Sequence, residues 1–236
     1  MERVLNQLIE KLKKAHGDIL VSTVLYGSAA TGDYQGGFSD LNILCVLRQV
    51  TPSELQHSEP IFRWWRELGN PSPLLMSTEE VRTSTDSFPI EFYDIKARHR
   101  ILYGEDVVVN LDIHFDHHRA QVEHELRAKV LRLRQKAAGV LSDKALLLQL
   151  MADSISTFCT LFRHVLLLAG EEPRWQKRDV VAAAAGRFGF DPDPFYTLLD
   201  LRDEKRKARH IDPVPLLDTY LRQLVIVVEA VDRLER

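Results

Sequence analysis

The sequence predicts an α+β domain followed by an all-α helical bundle, with the boundary near residue 115. Three observations carry this. Two apolar runs, residues 19–25 and 41–47, flank a Gly27-Ser28 turn and a glycine-rich loop, as two buried strands would. Shorter candidate strands and helices alternate up to residue 114. Beyond that point strand signals stop and long helical periodicity takes over.

The elements follow in order. Val4, Leu5, Leu8, Ile9 and Leu12 recur at helical spacing, and Gly17 can end that helix. A strand spans 19–26 and a second spans 41–47, with a short helix expected after Ser28. Thr51-Pro52-Ser53-Glu54 starts a helix carrying Ile61, Phe62, Trp64 and Trp65, with Pro60 as a break or kink inside it. Gly69-Asn70-Pro71 ends it. Leu74-Leu75-Met76 reads as a third strand and Ser77-Thr78-Glu79-Glu80 as a capped helix start. Residues 88–95 are expected as a fourth strand, with Pro89 near its beginning and Glu91 set between Ile90 and Phe92. In the second half, helices are expected over 119–138, 142–169 and 177–186, with two more starting at Asp193-Pro194 and at Pro213. Five helices on short loops imply an antiparallel bundle. The domains are therefore set at 1–114 and 115–236.

Composition bounds the function classes. The 236 residues are 45% hydrophobic and 28% charged with net charge −3, so no global basic excess points to a polyanion. Cys45 and Cys159 lie in apolar runs and read as buried thiols rather than a disulfide. No apolar stretch reads as reaching the roughly 18 to 20 residues of a membrane span and no signal peptide is evident, which gives a cytoplasmic expectation.

The chemistry gathers around Gly27. A glycine there lets backbone approach a ligand where a Cβ would obstruct it. Ser28 at a helix start suits a phosphate. Asp40 and Asn42, two apart on a strand, share one face. Gly-Ser, about a dozen residues, then Asp-x-(Asp/Glu) on a strand resembles the nucleotidyltransferase superfamily with the polymerase-beta-like fold, including aminoglycoside and small prokaryotic nucleotidyltransferases. Gly27, Ser28 and Asp40 match; Asn42 departs, because the family has a second carboxylate there. The order of residues 88–95 and then Leu102-Tyr103-Gly104-Glu105 also fits the family, in which a strand bearing a third carboxylate is followed by a Leu-x-Gly-(Glu/Asp) turn.

The resemblance implies Mg²⁺-dependent transfer of a nucleoside monophosphate from a nucleoside triphosphate such as ATP to a hydroxyl of a small acceptor. Paired Mg²⁺ ions would neutralise the developing charge and would be held by carboxylates. Asp40, Asn42 and Glu91 would be the metal positions and Asp40 and Glu91 the catalytic ones, with Asp94 as the alternative third carboxylate. Gly27 and Ser28 would hold phosphates, joined by Lys205 and Arg209 of the bundle. Asn42 brings no charge, so two further readings stand beside the enzyme. One is a catalytically impaired nucleotide-binding or regulatory protein; the other is a toxin–antitoxin-type nucleotidyltransferase. The implied partners are a nucleoside triphosphate and a small acceptor, with no membrane and no clear nucleic-acid partner, and a homodimer as one option. The cluster Asp112, His114, Asp116, His117 and His118 looks metal-like, but a solvated linker explains it better.

Overall fold

The computed structural model describes residues 1–31, 41–203 and 208–234. The chain forms two compact units, residues 1–116 and 117–236.

The first unit is a mixed four-stranded sheet in the order β3-β2-β1-β4. Its strands are β1 (Leu20–Tyr26), β2 (Asn42–Leu47), β3 (Leu74–Ser77) and β4 (His99–Gly104). β1 pairs antiparallel with β2 and β4, and β2 pairs parallel with β3. Alternation along β1 sends its side chains to two cores. Leu25 joins Ile43, Cys45 and Leu47 against Leu5, Leu8 and Leu12 of α1 (Glu2–His16) and Ile61 and Trp65 of α2 (Pro52–Glu67). On the opposite face Val24 joins Leu44, Val46 and Met76 against Val81 of α3 (Thr78–Thr83) and Phe92 and Ile95 of α4 (Pro89–Ala97). Burial pushes the Cys45 thiol up to about 12 and leaves it an inert core group.

The helix starts follow the sequence chemistry. Thr51 and Glu54 close a capping box at α2, and Ser77 and Glu80 close another at α3. Pro60 does not interrupt α2. It sits on the exposed side with Gln56, whose carbonyl loses its helical partner where water can replace it.

One expectation is corrected. Residues 88–95 do not form a strand; Pro89 starts α4, and the fourth strand is the following segment, His99–Gly104. Proline at a first helical turn gives up an N–H that no helical carbonyl needs, so it favours this start. Phe92 and Ile95, three apart, then bury one helical face. β4 occupies the sheet edge and is only half-buried, which explains its polar start, His99-Arg100.

In the second unit the described α-helices are α5 (His118–Ala138), α6 (Lys144–Leu168), α7 (Lys177–Phe188), α8 (Asp193–Arg202) and α9 (Pro213–Arg233). α6 is long and apolar enough to cross a membrane by length and composition, contrary to the expectation that no stretch reaches that limit. Within this unit it is the core helix: Met151, Ile155, Phe158 and Phe162 are buried on it. Phe195 of α8 and Tyr220 of α9 pack edge-on at 5.2 Å, and the Tyr220 hydroxyl lies 3.1 Å from Ser154 Oγ.

Gly104 closes β4 at φ 75°, and a Cβ there would lie 1.9 Å from the Val21 carbonyl oxygen. Neither the dihedral nor the space admits a side chain. Gly104→Ala is therefore expected to destabilise the chain by about 3 kcal/mol or more. Chemical denaturation monitored by circular dichroism measures this, and a loss below about 1 kcal/mol would show that β4 can shift to admit the methyl group.

Candidate functional site at the end of the sheet

The site is built where β1 leaves the sheet. Gly27 follows Tyr26 with φ 78°, a left-handed conformation that disfavours other residues. Its N–H donates to the Arg98 carbonyl at 3.0 Å, and its own carbonyl accepts from Ala30 N–H at 3.1 Å. The first bond ties the end of β1 to the entry of β4. The second folds residues 28–31 into a single 3₁₀ turn. The short helix expected after Ser28 is thus a single 3₁₀ turn, which is too little for a helix dipole to build up. What remains at Ser28 is local backbone and hydroxyl chemistry.

Pairing sets the next row. Tyr26 stands opposite Asn42 on β2 and opposite His99 on β4. Residues directly opposite on antiparallel strands share a face, so Asn42, Tyr26 and His99 form one row across three strands. Tyr26 packs on the core that α4 covers, which identifies the face. The neighbouring row confirms it: Leu25 faces Arg100, whose Nη2 reaches Glu2 of α1 at 3.0 Å on the other side. Asn42 also reaches the turn itself. Among the described residues, a Cβ built on Gly27 would meet Asn42 Nδ2 at 3.4 Å.

Glu91 arrives from the first turn of α4 rather than from a strand, and it is exposed. It lies near Tyr26: burial first, then the Glu91 charge, raises the Tyr26 hydroxyl above its ordinary value. The helix also changes the status of Asp94. On a strand the odd spacing would put residues 91 and 94 on opposite faces; on α4 they are one turn apart on the same side. Both therefore start from one helix side, not from two strand faces.

Other expected residues fall elsewhere. Asp40 and Lys205 lie outside the described residues. Arg209 belongs to the second unit, in a 3₁₀ turn spanning Ala208–His210, and its Nε donates to His210 Nε2 at 3.0 Å. His114 lies 3.8 Å from Asp112, and His118 Nε2 is 2.9 Å from His164 Nδ1. Among the described residues no group of three or more metal-ligating side chains occurs. Two concavities lie apart from the turn. One, of about 860 Å³, lies between α1 and α2 beside Lys11 and Trp64; the other, of about 200 Å³, lies between α5 and α6 beside Arg132 and Phe158.

Sequence reasoning missed His99 and its brace. His99 Nδ1 lies 3.1 Å from the Lys96 carbonyl and Nε2 3.1 Å from Asp106 Oδ2. Burial works against the Asp106 carboxylate. Its bonds from His99 and from the Val108 and Val109 N–H groups outweigh that and hold its pKa below the usual range. The pairing of His99 with Tyr26 depends on β4, which the sequence pattern did not identify as a strand.

No family model and no curated protein matches the sequence. Among solved structures, the chain is similar to the spectinomycin adenyltransferase AAD(9) from Enterococcus faecialis, solved with ATP and spectinomycin. The TM-score is 0.64 at 14% identity, over 98% of this chain and 99% of that one. A mutant of the toxin–antitoxin MntA–HpeT gives 0.33 at 14% identity, over 59% of this chain and 96% of that one. A toxin–antitoxin with AMP-PNP gives 0.32 at 15% identity, over 58% and 95%. The last two scores are too low to build on. The first establishes the fold: this chain has the α+β nucleotidyltransferase fold with a helical C-terminal part.

The Tyr26 hydroxyl gives a pH test of the row. Its folded pKa is raised, so the folded state favours the neutral phenol. That contribution is complete below the unfolded value near 10 and is lost as pH climbs through the folded value. Glu91→Gln is expected to lower the Tyr26 midpoint while leaving it above the ordinary range, because burial is the larger cause. Tyrosinate absorbance, referenced to Tyr26→Phe, reads it. An unmoved midpoint would separate Glu91 from the sheet end.

Proposed function

We propose that this protein transfers a nucleoside monophosphate from a nucleoside triphosphate, ATP in the first instance, to a hydroxyl of a small acceptor. The observation that carries the reading is the left-handed Gly27 turn at the sheet end, with the Asn42 amide beside it and Glu91 on the same face. The fold shared with an adenyltransferase supports it.

The residues have separate tasks. Gly27 has no Cβ, so phosphate oxygens can approach the turn closely, and Ser28 adds a hydroxyl and a backbone N–H. Asp40 sits two residues before Asn42 and supplies a carboxylate. Glu91, exposed at the start of α4, accepts the proton of the attacking hydroxyl. Asp94 on the same side of α4 is the alternative base.

A divalent ion follows from the resemblance, and the donor set can be tested against it. Asp40 and Glu91 are hard oxygen donors suited to one Mg²⁺, shared with triphosphate oxygens. That ion would neutralise charge on the phosphates during transfer. Asn42 supplies only a neutral amide, so the charge needed for a second ion is missing. A unit charge lost about 2 Å from a divalent ion weakens binding strongly even under heavy screening. The same observation favours a second reading, in which the pocket binds nucleotide without turnover.

Pyrophosphate release from ATP, assayed with a panel of hydroxylated small molecules including aminocyclitol antibiotics, separates the two. The enzyme reading expects release that depends on the acceptor. It expects Asp40→Ala and Glu91→Gln each to lower it by about 10²–10⁴-fold. Full activity in Asp40→Ala would remove the metal assignment. ATP binding with no release for any acceptor would leave the second reading.

A further inference from the structure

Asn42 is where this chain disagrees with a two-ion site, and its geometry indicates what replaces the second ion. The side chain is half-buried and makes no hydrogen bond to any described residue. Its amide lies beside the turn, with Nδ2 3.4 Å from where a Cβ on Gly27 would stand. A carboxylate in this place would repel a phosphate and would need a cation between them. An amide NH₂ can donate to a phosphate oxygen without any intermediary. Gly27 puts no side chain of its own between that amide and a ligand, and its dihedral disfavours one.

We infer that Asn42 donates from Nδ2 directly to a phosphate oxygen of the bound nucleotide, doing the work the family assigns to a second divalent ion. The chain then holds the triphosphate in the absence of divalent metal, and Asn42 is a substrate-binding residue rather than a weakened metal ligand. This deepens the proposed function and rests on it. Arg100, in the neighbouring row, is turned to the other face and bonds Glu2. His99 shares the Asn42 face but has both ring nitrogens engaged, by the Lys96 carbonyl and by Asp106.

The test is equilibrium binding of ATP by calorimetry, in EDTA and in Mg²⁺, for the wild type, Asn42→Ala and Asn42→Asp. Wild type is expected to bind ATP in EDTA. Asn42→Ala should bind it about 10- to 100-fold more weakly there, the effect of one hydrogen bond to a charged group. Asn42→Asp should lose more in EDTA, through charge repulsion, and should bind as tightly as wild type or tighter in Mg²⁺. Wild-type binding that appears only with Mg²⁺, or an Asn42→Ala affinity in EDTA equal to wild type, overturns the inference while leaving the proposed function in place. No ATP binding in either buffer removes both. Should a variant fail to fold by circular dichroism, the wild-type comparison of EDTA with Mg²⁺ still decides between direct and metal-mediated contact.

Discussion

The hydrogen bond from Gly27 N–H to the Arg98 carbonyl is the constraint on which the site depends. It joins the residue just after β1 to the residue just before β4, at the point where the chain turns left-handed. Without it, the row Asn42–Tyr26–His99 would have no fixed end, and the 3₁₀ turn at Ser28 would have no anchor. Pairing and turn chemistry support each other here. The ladder brings three polar side chains to one face, and glycine adds no side chain beside them. The hydrophobic cores on both sides of β1 hold this frame rigid, so a polar site can sit at its edge.

Charge is the second organising fact. The sheet end carries a tyrosine whose ionisation is opposed by burial and by Glu91, an amide at position 42, and a histidine braced between two acceptors. The described part of the row is therefore poorer in negative charge than a two-carboxylate strand would make it. A site of this kind is less repulsive to a bare triphosphate and less attractive to a second divalent ion. Under the proposed function, chain chemistry rather than an added cation would carry part of the phosphate recognition.

Much of this was legible in the sequence. The two apolar runs around Gly27-Ser28, the capping boxes at Thr51 and Ser77, and the starts of the second-unit helices each follow from a local rule that the fold obeys. The failures also have local causes. Residues 88–95 mix aromatic and branched residues in a way that fits either period, and strand propensity outweighed the proline start that decides for a helix. That error moved Glu91 to the wrong element and split it from Asp94. β4 stayed hidden because an edge strand needs no continuous apolar run, and its glycine is explained by contact with Val21, which lies far away in sequence. His99 and Asp106 were invisible for the same reason. The membrane criterion failed for α6 because the central helix of a bundle has the apolar composition of a spanning one.

The central claim is that the Gly27 turn and the Asn42 amide together contact nucleotide phosphates. Amide resonances of the isotopically labelled chain, followed while a non-hydrolysable ATP analogue is added, test it most directly. The backbone signals of Gly27 and Ser28 and the side-chain NH₂ of Asn42 should shift together and saturate with one affinity. Saturable shifts that leave those three signals unmoved, and gather instead at another surface such as the groove between α5 and α6, would contradict it.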